Sequence, residues 1–213
     1  MKLISVNIGQ RRPNPNPKAS QDSRHTGIYK EPQSHPVRIA QLGLEGDTIG
    51  NPKVHGGPDQ AVYIYGTADY DWWSGQLGRS LEPGAFGENL TIGELESAAF
   101  AVGDRFHIGG VALEVTAPRI PCHTLAAKMN DWQFIQRFKD AERPGFYCRV
   151  LVEGSVQTGE VVNVEPYRGE TITILEMFRG YYSEAPDPDF LRRGLLAPTP
   201  RRWREKMAER YQR

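Results

Sequence analysis

Two cysteines, Cys122 and Cys148, stand among 213 residues, and Cys122 occupies a place where thiol chemistry is easily built. It lies in the run Ala117-Pro118-Arg119-Ile120-Pro121-Cys122-His123-Thr124-Leu125. Upstream, Leu113, Val115 and Ala117 alternate with Glu114 and Thr116, as in a half-buried strand. Pro118 and Pro121 break that strand, and Leu125 to Met129 starts a helix. A thiol between a strand end and a helix N-terminus meets outward-pointing N–H groups and the positive end of the macrodipole, which favour a thiolate. Arg119 acts in the same direction. Such a thiolate bonds to sulfur or to a metal. The same cysteine also reads as a small buried hydrophobe, and the local sequence leaves both readings open.

Two further clusters carry groups that do chemistry. In Val54-His55-Gly56-Gly57-Pro58-Asp59-Gln60, paired glycines permit close backbone approach and Pro58 stiffens the turn. His55 and Asp59 then stand at the entry of a strand over Ala61 to Tyr65, where His55 suits an anion or a cofactor edge. In Pro83-Gly84-Ala85-Phe86-Gly87-Glu88-Asn89-Leu90-Thr91, Gly84 and Gly87 fold the chain sharply, and Glu88 and Asn89 offer a carboxylate and an amide to a pocket. The structural alternatives are a solvated turn histidine and an asparagine that satisfies its own backbone. His55, Cys122 and His123 are conceivable zinc ligands, but no CxxC or HxxxH spacing supports them. A Cys–His nucleophile pair needs partners that meet in space, which adjacency of Cys122 and His123 does not establish.

The elements that must hold these groups are mostly strands. Short apolar runs at Leu3 to Ile8, Ala61 to Tyr65, Arg105 to Ile108, Val111 to Thr116, Phe146 to Val152 and Val161 to Val164 are separated by Gly, Pro, Asn and Asp. Their spacing predicts an α+β, mainly β fold with a β-barrel-like domain that hides its edges. Thr67 is read as the N-cap of one helix, and Phe134 and Phe138 share a face of another. The Pro-rich stretch from Gln10 to Pro36, with Lys18, Arg24, His25 and Lys30, reads as a surface loop or a functional one. After Tyr167 the texture becomes helical: a capping box at Thr173 and Glu176, an Asp187-Pro188 start, and a Thr199-Pro200 start before Trp203, Met207 and Tyr211. The division is therefore a domain over residues 1–167 and a small C-terminal three-helix bundle over 168–213.

Charge narrows the partners. With 26 basic and 26 acidic residues the formal charge is zero, which argues against a nucleic-acid or membrane partner. The tail arginines Arg192, Arg193, Arg201, Arg202, Arg204, Arg210 and Arg213 are interrupted by Glu205 and Glu209 at helical spacing, as on a solvated face. Nothing in the chain is apolar enough to span a bilayer, and the two cysteines make no disulfide framework. A cytoplasmic protein is expected, and a homodimer on base rates alone.

Taken together, the clusters resemble the MOSC domain, named for the C-terminal region of molybdenum cofactor sulfurases. The similarity runs through Thr26 to Lys30, Leu44-Glu45-Gly46-Asp47, His55 to Tyr63, Pro83 to Leu90, Val102-Gly103-Asp104, Pro118 to Cys122 and Gly145 to Leu151. The helical tail resembles the appendage of the YiiM type, associated with resistance to 6-hydroxylaminopurine. The resemblance implies a molybdopterin-type molybdenum cofactor with Cys122 as its protein ligand. It also implies reduction of N-hydroxylated compounds, such as base analogues, to amines. The electrons would come from a separate flavoprotein or iron–sulfur partner, in keeping with the lack of a ferredoxin-type cysteine set or a GxGxxG run.

On this reading Lys30, Arg119 and Arg149 with the glycine turns serve a phosphate. His55, Asp59, Glu88 and Asn89 serve the pterin edges, and His55 and Asn89 stand with Cys122 as catalytic candidates. Thr124 and Gln60 replace lysines common in relatives, and Lys128 is a candidate substitute cation. The rival from a different class is a non-catalytic carrier of the cofactor or of persulfide sulfur on Cys122. A Cys-dependent hydrolase is a third possibility.

Overall fold

The computed structural model describes residues 1–51 and 55–211, without the side chains of Arg210 and Tyr211. Val54, Arg213 and those two side chains, used above, therefore lie outside the described residues. The strands are β1 (Leu3–Gly9), β2 (Arg12–Pro13), β3 (His25–Thr26), β4 (Lys30–Pro32), β5 (Val37–Ala40), β6 (Gly43–Leu44), β7 (Val62–Gly66), β8 (Leu90–Ile92), β9 (Arg105–Ile108), β10 (Val111–Pro118), β11 (Phe146–Val152), β12 (Gly154–Val156) and β13 (Val162–Glu165). The helices are α1 (Thr67–Leu77), α2 (His123–Met129), α3 (Phe134–Ala141), α4 (Ile174–Tyr182), α5 (Pro188–Leu196) and α6 (Arg201–Tyr211).

Eight strands form one sheet in the order β13-β9-β10-β11-β7-β8-β1-β4. Every pairing in it is antiparallel except β7 with β8. A lone bridge between Lys2 and Val161 brings the start of β1 to the start of β13. The sheet curls far enough for that contact, but no continuous ladder closes it. The architecture is thus mixed α+β around a large curled sheet, and the barrel-like expectation goes no further than that curl, because no continuous ladder joins the sheet's ends among the described residues.

Strand β10 corrects a second expectation. The alternation Leu113, Glu114, Val115, Thr116 reads as half-buried, yet all eight residues of β10 are buried. The polar face is covered because it has partners. Glu114 meets Arg149 and Arg105, and the Thr116 hydroxyl donates to the Asp59 and Tyr147 carbonyls at 2.7 and 3.0 Å. Thr67 is not a cap either: Gly66 takes that position, and the Thr67 hydroxyl accepts the Glu94 N–H at 2.9 Å instead.

Two apolar clusters fill the interior. One joins the sheet to the tail, uniting Leu113, Phe106 and Phe146 with Ile174, Met177, Leu191 and Met207. The other is aromatic, with Trp73, Phe86, Phe134 and Phe138 packed between α1, α3 and the sheet. The tail helices start as their sequences dictate. Thr173 and Glu176 complete a capping box, and Asp187 accepts the Phe190 N–H at 3.1 Å. Gly180 and Gly194 let Phe190 and Trp203 approach so closely that a Cβ would fall 2.5 and 2.3 Å from their rings. The three helices share the core of the sheet rather than enclosing one of their own. No helix among the described residues is long and apolar enough to cross a membrane.

Candidate functional site

Pro118 ends β10, and Cys122 is the residue that caps α2. Its carbonyl accepts the Leu125 and Ala126 N–H groups at 3.0 and 3.2 Å, while its thiol makes no capping bond and stays half-buried. The bracket of strand end and helix start expected around this cysteine is therefore present. Cys122 lines a partly open cleft together with Arg119, Tyr147 and Asn89.

Arg119 dominates the charge of this cleft. The residue is only 7% exposed, its Nη1 donates to the Phe86 carbonyl at 2.5 Å, and its guanidinium lies 4.8 Å from the centre of the Tyr63 ring. Burial acts against its charge, but Tyr147, Tyr63 and the Cys122 thiol outweigh that and raise its pKa. Among the described residues no carboxylate pairs with it. A desolvated guanidinium without an acid partner is costly unless an anion completes it.

The opposite wall is a tight polar triad. Lys30 pairs with Asp47, both side chains under a tenth exposed. Asp47 also accepts the Gly9 N–H at 2.8 Å and the Asn89 amide at 2.9 Å. Burial lowers the Lys30 pKa, with Asp47 opposing. The Asn89 amide is fully engaged, since its Oδ1 accepts the Tyr63 N–H at 3.1 Å. Gly87, at φ 77°, lets the chain turn against Ile28, where a Cβ would sit 2.9 Å from a side-chain carbon.

His55 reaches the same cleft from the far side, remaining solvent-accessible. Crowding by surrounding protein, then the Arg119 charge, lowers its pKa and keeps the imidazole neutral. Tyr147, which sequence reasoning missed, lines the cleft as well. Its pKa is raised by burial, with Arg119 opposing and Cys122 adding to it. Tyr63, Tyr65 and Tyr70 donate to Pro144, Arg143 and Glu88; the Tyr147 hydroxyl donates to none of the described residues. It pairs across from Ala117 on β10, so the strand register alone would have placed it beside the cysteine segment.

Three expected ligand residues lie elsewhere. Glu88 is enclosed behind the wall, its Oε1 accepting from the Tyr70 hydroxyl, Gly84 N–H and Thr91 hydroxyl at 2.5, 2.6 and 2.8 Å. Arg149 and Asp59 pair with each other at 2.7 Å on the tail side. Lys128 does not replace the missing lysines either. It donates to the Ile28 and Gly84 carbonyls at 3.0 and 2.6 Å, outside the cleft lining, whereas Thr124 and Gln60 do face the cleft.

The donor set decides what such a cleft can hold. Among the described residues no group of three or more His, Cys, Asp or Glu is placed to bind a bare metal ion. One soft thiol beside an uncompensated guanidinium instead suits a metal that arrives with its own anionic ligand. A family model described as the MOSC domain matches residues 51–163. The chain belongs to the MOSC family. Its relatives include Bacillus subtilis YflK, 38% identical over 134 residues (63% of this chain, 61% of that protein). Escherichia coli YiiM is 30% identical over 138 residues, again 63% of this chain and 62% of that protein. A Gibberella moniliformis protein named a reductase is 31% identical over 150 residues, or 67% of this chain and 26% of that protein. The match thus spans less than two thirds of each of these relatives. Among solved structures, YiiM from Geobacillus stearothermophilus superposes with a TM-score of 0.81 at 26% identity, covering 99% of this chain and 98% of that one.

Proposed function

We propose that this MOSC protein binds a molybdopterin-type molybdenum cofactor in the Cys122 cleft and reduces N-hydroxylated compounds to amines. The observation that carries the reading is the pairing in one cleft of a half-exposed thiol with a buried guanidinium that has no acid partner. Cys122 Sγ would be the protein's bond to molybdenum, as a deprotonated soft donor. Arg119 would meet the cofactor phosphate with a charge-assisted bond, and Lys30, held by Asp47, would contribute a second positive end. Asn89 shapes the wall and holds Asp47 in place; His55 and Gln60 border the ligand. When bound, the cofactor supplies a two-electron redox centre.

The overall reaction takes an N-hydroxylated substrate, two electrons and two protons to an amine and water. The electrons come from an external flavoprotein or iron–sulfur donor. The chain's own part in proton supply falls to Tyr147, whose hydroxyl is protonated at neutral pH and free to donate into the cleft. Neutral His55 can accept or relay a proton at the open side. The fungal relative named a reductase agrees with this class of reaction.

The test is to purify the protein from cells that make the cofactor, and measure molybdenum and pterin content together with reduction of an N-hydroxylated purine by a supplied donor. Bound molybdenum with turnover supports the enzyme. Bound cofactor without turnover under several donors would replace it with a cofactor carrier, and a protein that takes up no cofactor would refute the enzyme and the cofactor carrier alike.

A further inference from the structure

Residues 10–25, the first part of the Pro-rich stretch, form a built element at the edge of the Cys122 cleft. Strands β2 and β3 pair Arg12 with Thr26 and Pro13 with His25. Asn14 clasps the hairpin they make. Its amide donates to the Ser23 carbonyl at 2.8 Å and to the Thr124 hydroxyl at 3.2 Å, and its backbone N–H donates to the Arg24 carbonyl at 2.9 Å. Thr124 belongs to α2, the helix that Cys122 caps, so the hairpin is fastened beside the cysteine. Asn51 adds a bond to the Ser23 hydroxyl at 2.9 Å. Asn14, Ser23 and His25 line the cleft, while Arg11, Lys18 and Arg24 of the same hairpin are exposed.

The overall neutrality of the chain breaks down here. The hairpin carries Arg11, Arg12, Lys18 and Arg24 against a single acid, Asp22. Arg12 is committed to Glu31 and lies over the Tyr29 ring. Arg11, Lys18 and Arg24 have no carboxylate partner among the described residues; the Arg11 guanidinium donates to His25 Nδ1 at 3.0 Å instead. The tail arginines are the contrast, since Arg192, Arg193 and Arg201 are each neutralised by a nearby acid. Arg11 and Arg24 flank a hollow that Asp22 also lines, and that carboxylate disfavours a free phosphate between them. Hydrated cations spread along a rim suit an extended anionic surface, which they attract from a distance and orient on arrival.

We propose that this hairpin is the docking surface for the external electron donor, a carrier protein whose redox group is ringed by carboxylates. The inference rests on the proposed reductase reading for the partner's role; the docking stands on the hairpin's charge and place. A donor must bring its redox group close to the metal, and the hairpin sets its cations beside the cleft in which Cys122 would hold that metal. Two one-electron transfers, each leaving one reduced carrier oxidised, supply the electron pair that the reaction consumes.

The test uses the full chain, with flavodoxin and a plant-type ferredoxin as acidic carriers and cytochrome c as the basic control. Reduced methyl viologen serves as a donor that needs no docking. Calorimetry should show an acidic carrier binding, weakened about tenfold between about 20 and 200 mM NaCl, and no binding of cytochrome c. The combined variant Arg11→Gln, Lys18→Gln, Arg24→Gln changes exposed side chains only. It should fold normally and weaken carrier binding by about tenfold, whereas Arg192→Gln should not alter it. In the loaded enzyme the combined variant should raise KM for the carrier and leave turnover driven by methyl viologen unchanged. Binding by neither acidic carrier, or binding indifferent to the combined variant, overturns the docking surface. So does saturable phosphate binding at constant ionic strength in place of carrier binding. Turnover with methyl viologen but no carrier binding removes the surface and leaves the reductase reading. Carrier binding through these cations with no turnover from any donor removes the reductase reading and leaves the surface.

Discussion

Asp59 receives the Arg149 guanidinium on one carboxylate oxygen at 2.7 Å and the Arg201 backbone N–H on the other at 3.0 Å. Arg149 also donates to Glu114 at 3.1 Å and to the Pro198 carbonyl at 2.9 Å. One carboxylate thus ties the Gly-Gly turn to β11 and to the start of α6. Asp59→Ala leaves Arg149 with Glu114 and the Pro198 carbonyl, and it frees the Arg201 N–H. Urea unfolding should show a loss of about 1.5–3 kcal/mol, the scale of hydrogen bonds to charged groups. Asp59→Asn should fall between, because its amide oxygen still accepts one N–H.

Arg119→Met should have the opposite profile. It removes a buried charge that has no acid partner, at the cost of the bond to the Phe86 carbonyl. We expect the variant to fold with nearly native stability and to lose about tenfold or more in cofactor retention. Pterin fluorescence of the released cofactor, compared with the urea midpoint, checks both halves.

Much of this site was readable from residue order, and the failures have physical causes. Cys122 at a strand-to-helix junction follows from two prolines and a following helix former, which are local signals. The strands at Arg105–Ile108 and Phe146–Val152 follow from apolar runs bounded by turn residues. Asp47 and Tyr147 were invisible as site residues because their roles depend on partners 17 residues away and on strand register. Asp59 and Arg149 read as cofactor ligands only because the resemblance calls for a polar edge and a phosphate-binding cation; which carboxylate a guanidinium meets is a tertiary fact. The boundary near Tyr167 marks a change of secondary structure but no change of core, since Ile174 and Met177 pack on the sheet.

Tyr147→Phe isolates proton supply. The hydroxyl has no partner to lose among the described residues, so the variant should fold normally and hold the same molybdenum. Its turnover should fall by about a hundredfold, the low end for a removed general acid. Unchanged turnover at equal cofactor content would assign the proton to another group.

Lys128 gives a pH signature. Burial first, then Arg119 and Lys30, lower its pKa from 10.5 to about 8, with Glu88 opposing. Below pH 8 both folded and unfolded chains carry the proton, and the folded state bears the full burial cost. Between about 8 and 10.5 the unfolded chain binds more protons, so this group makes stability rise with pH. The rise is on the order of 3 kcal/mol across the window. Urea midpoints at pH 7 and pH 10 should show a larger gain for the native chain than for Lys128→Met; equal gains would remove Lys128 from the account.

The central claim is a bond between one sulfur and molybdenum, and X-ray absorption at the molybdenum edge reads it directly. Native protein loaded with cofactor should show one more sulfur in the metal's coordination shell than Cys122→Ser, which should show an oxygen in its place or bind no metal. An identical sulfur shell in the two proteins would contradict the account.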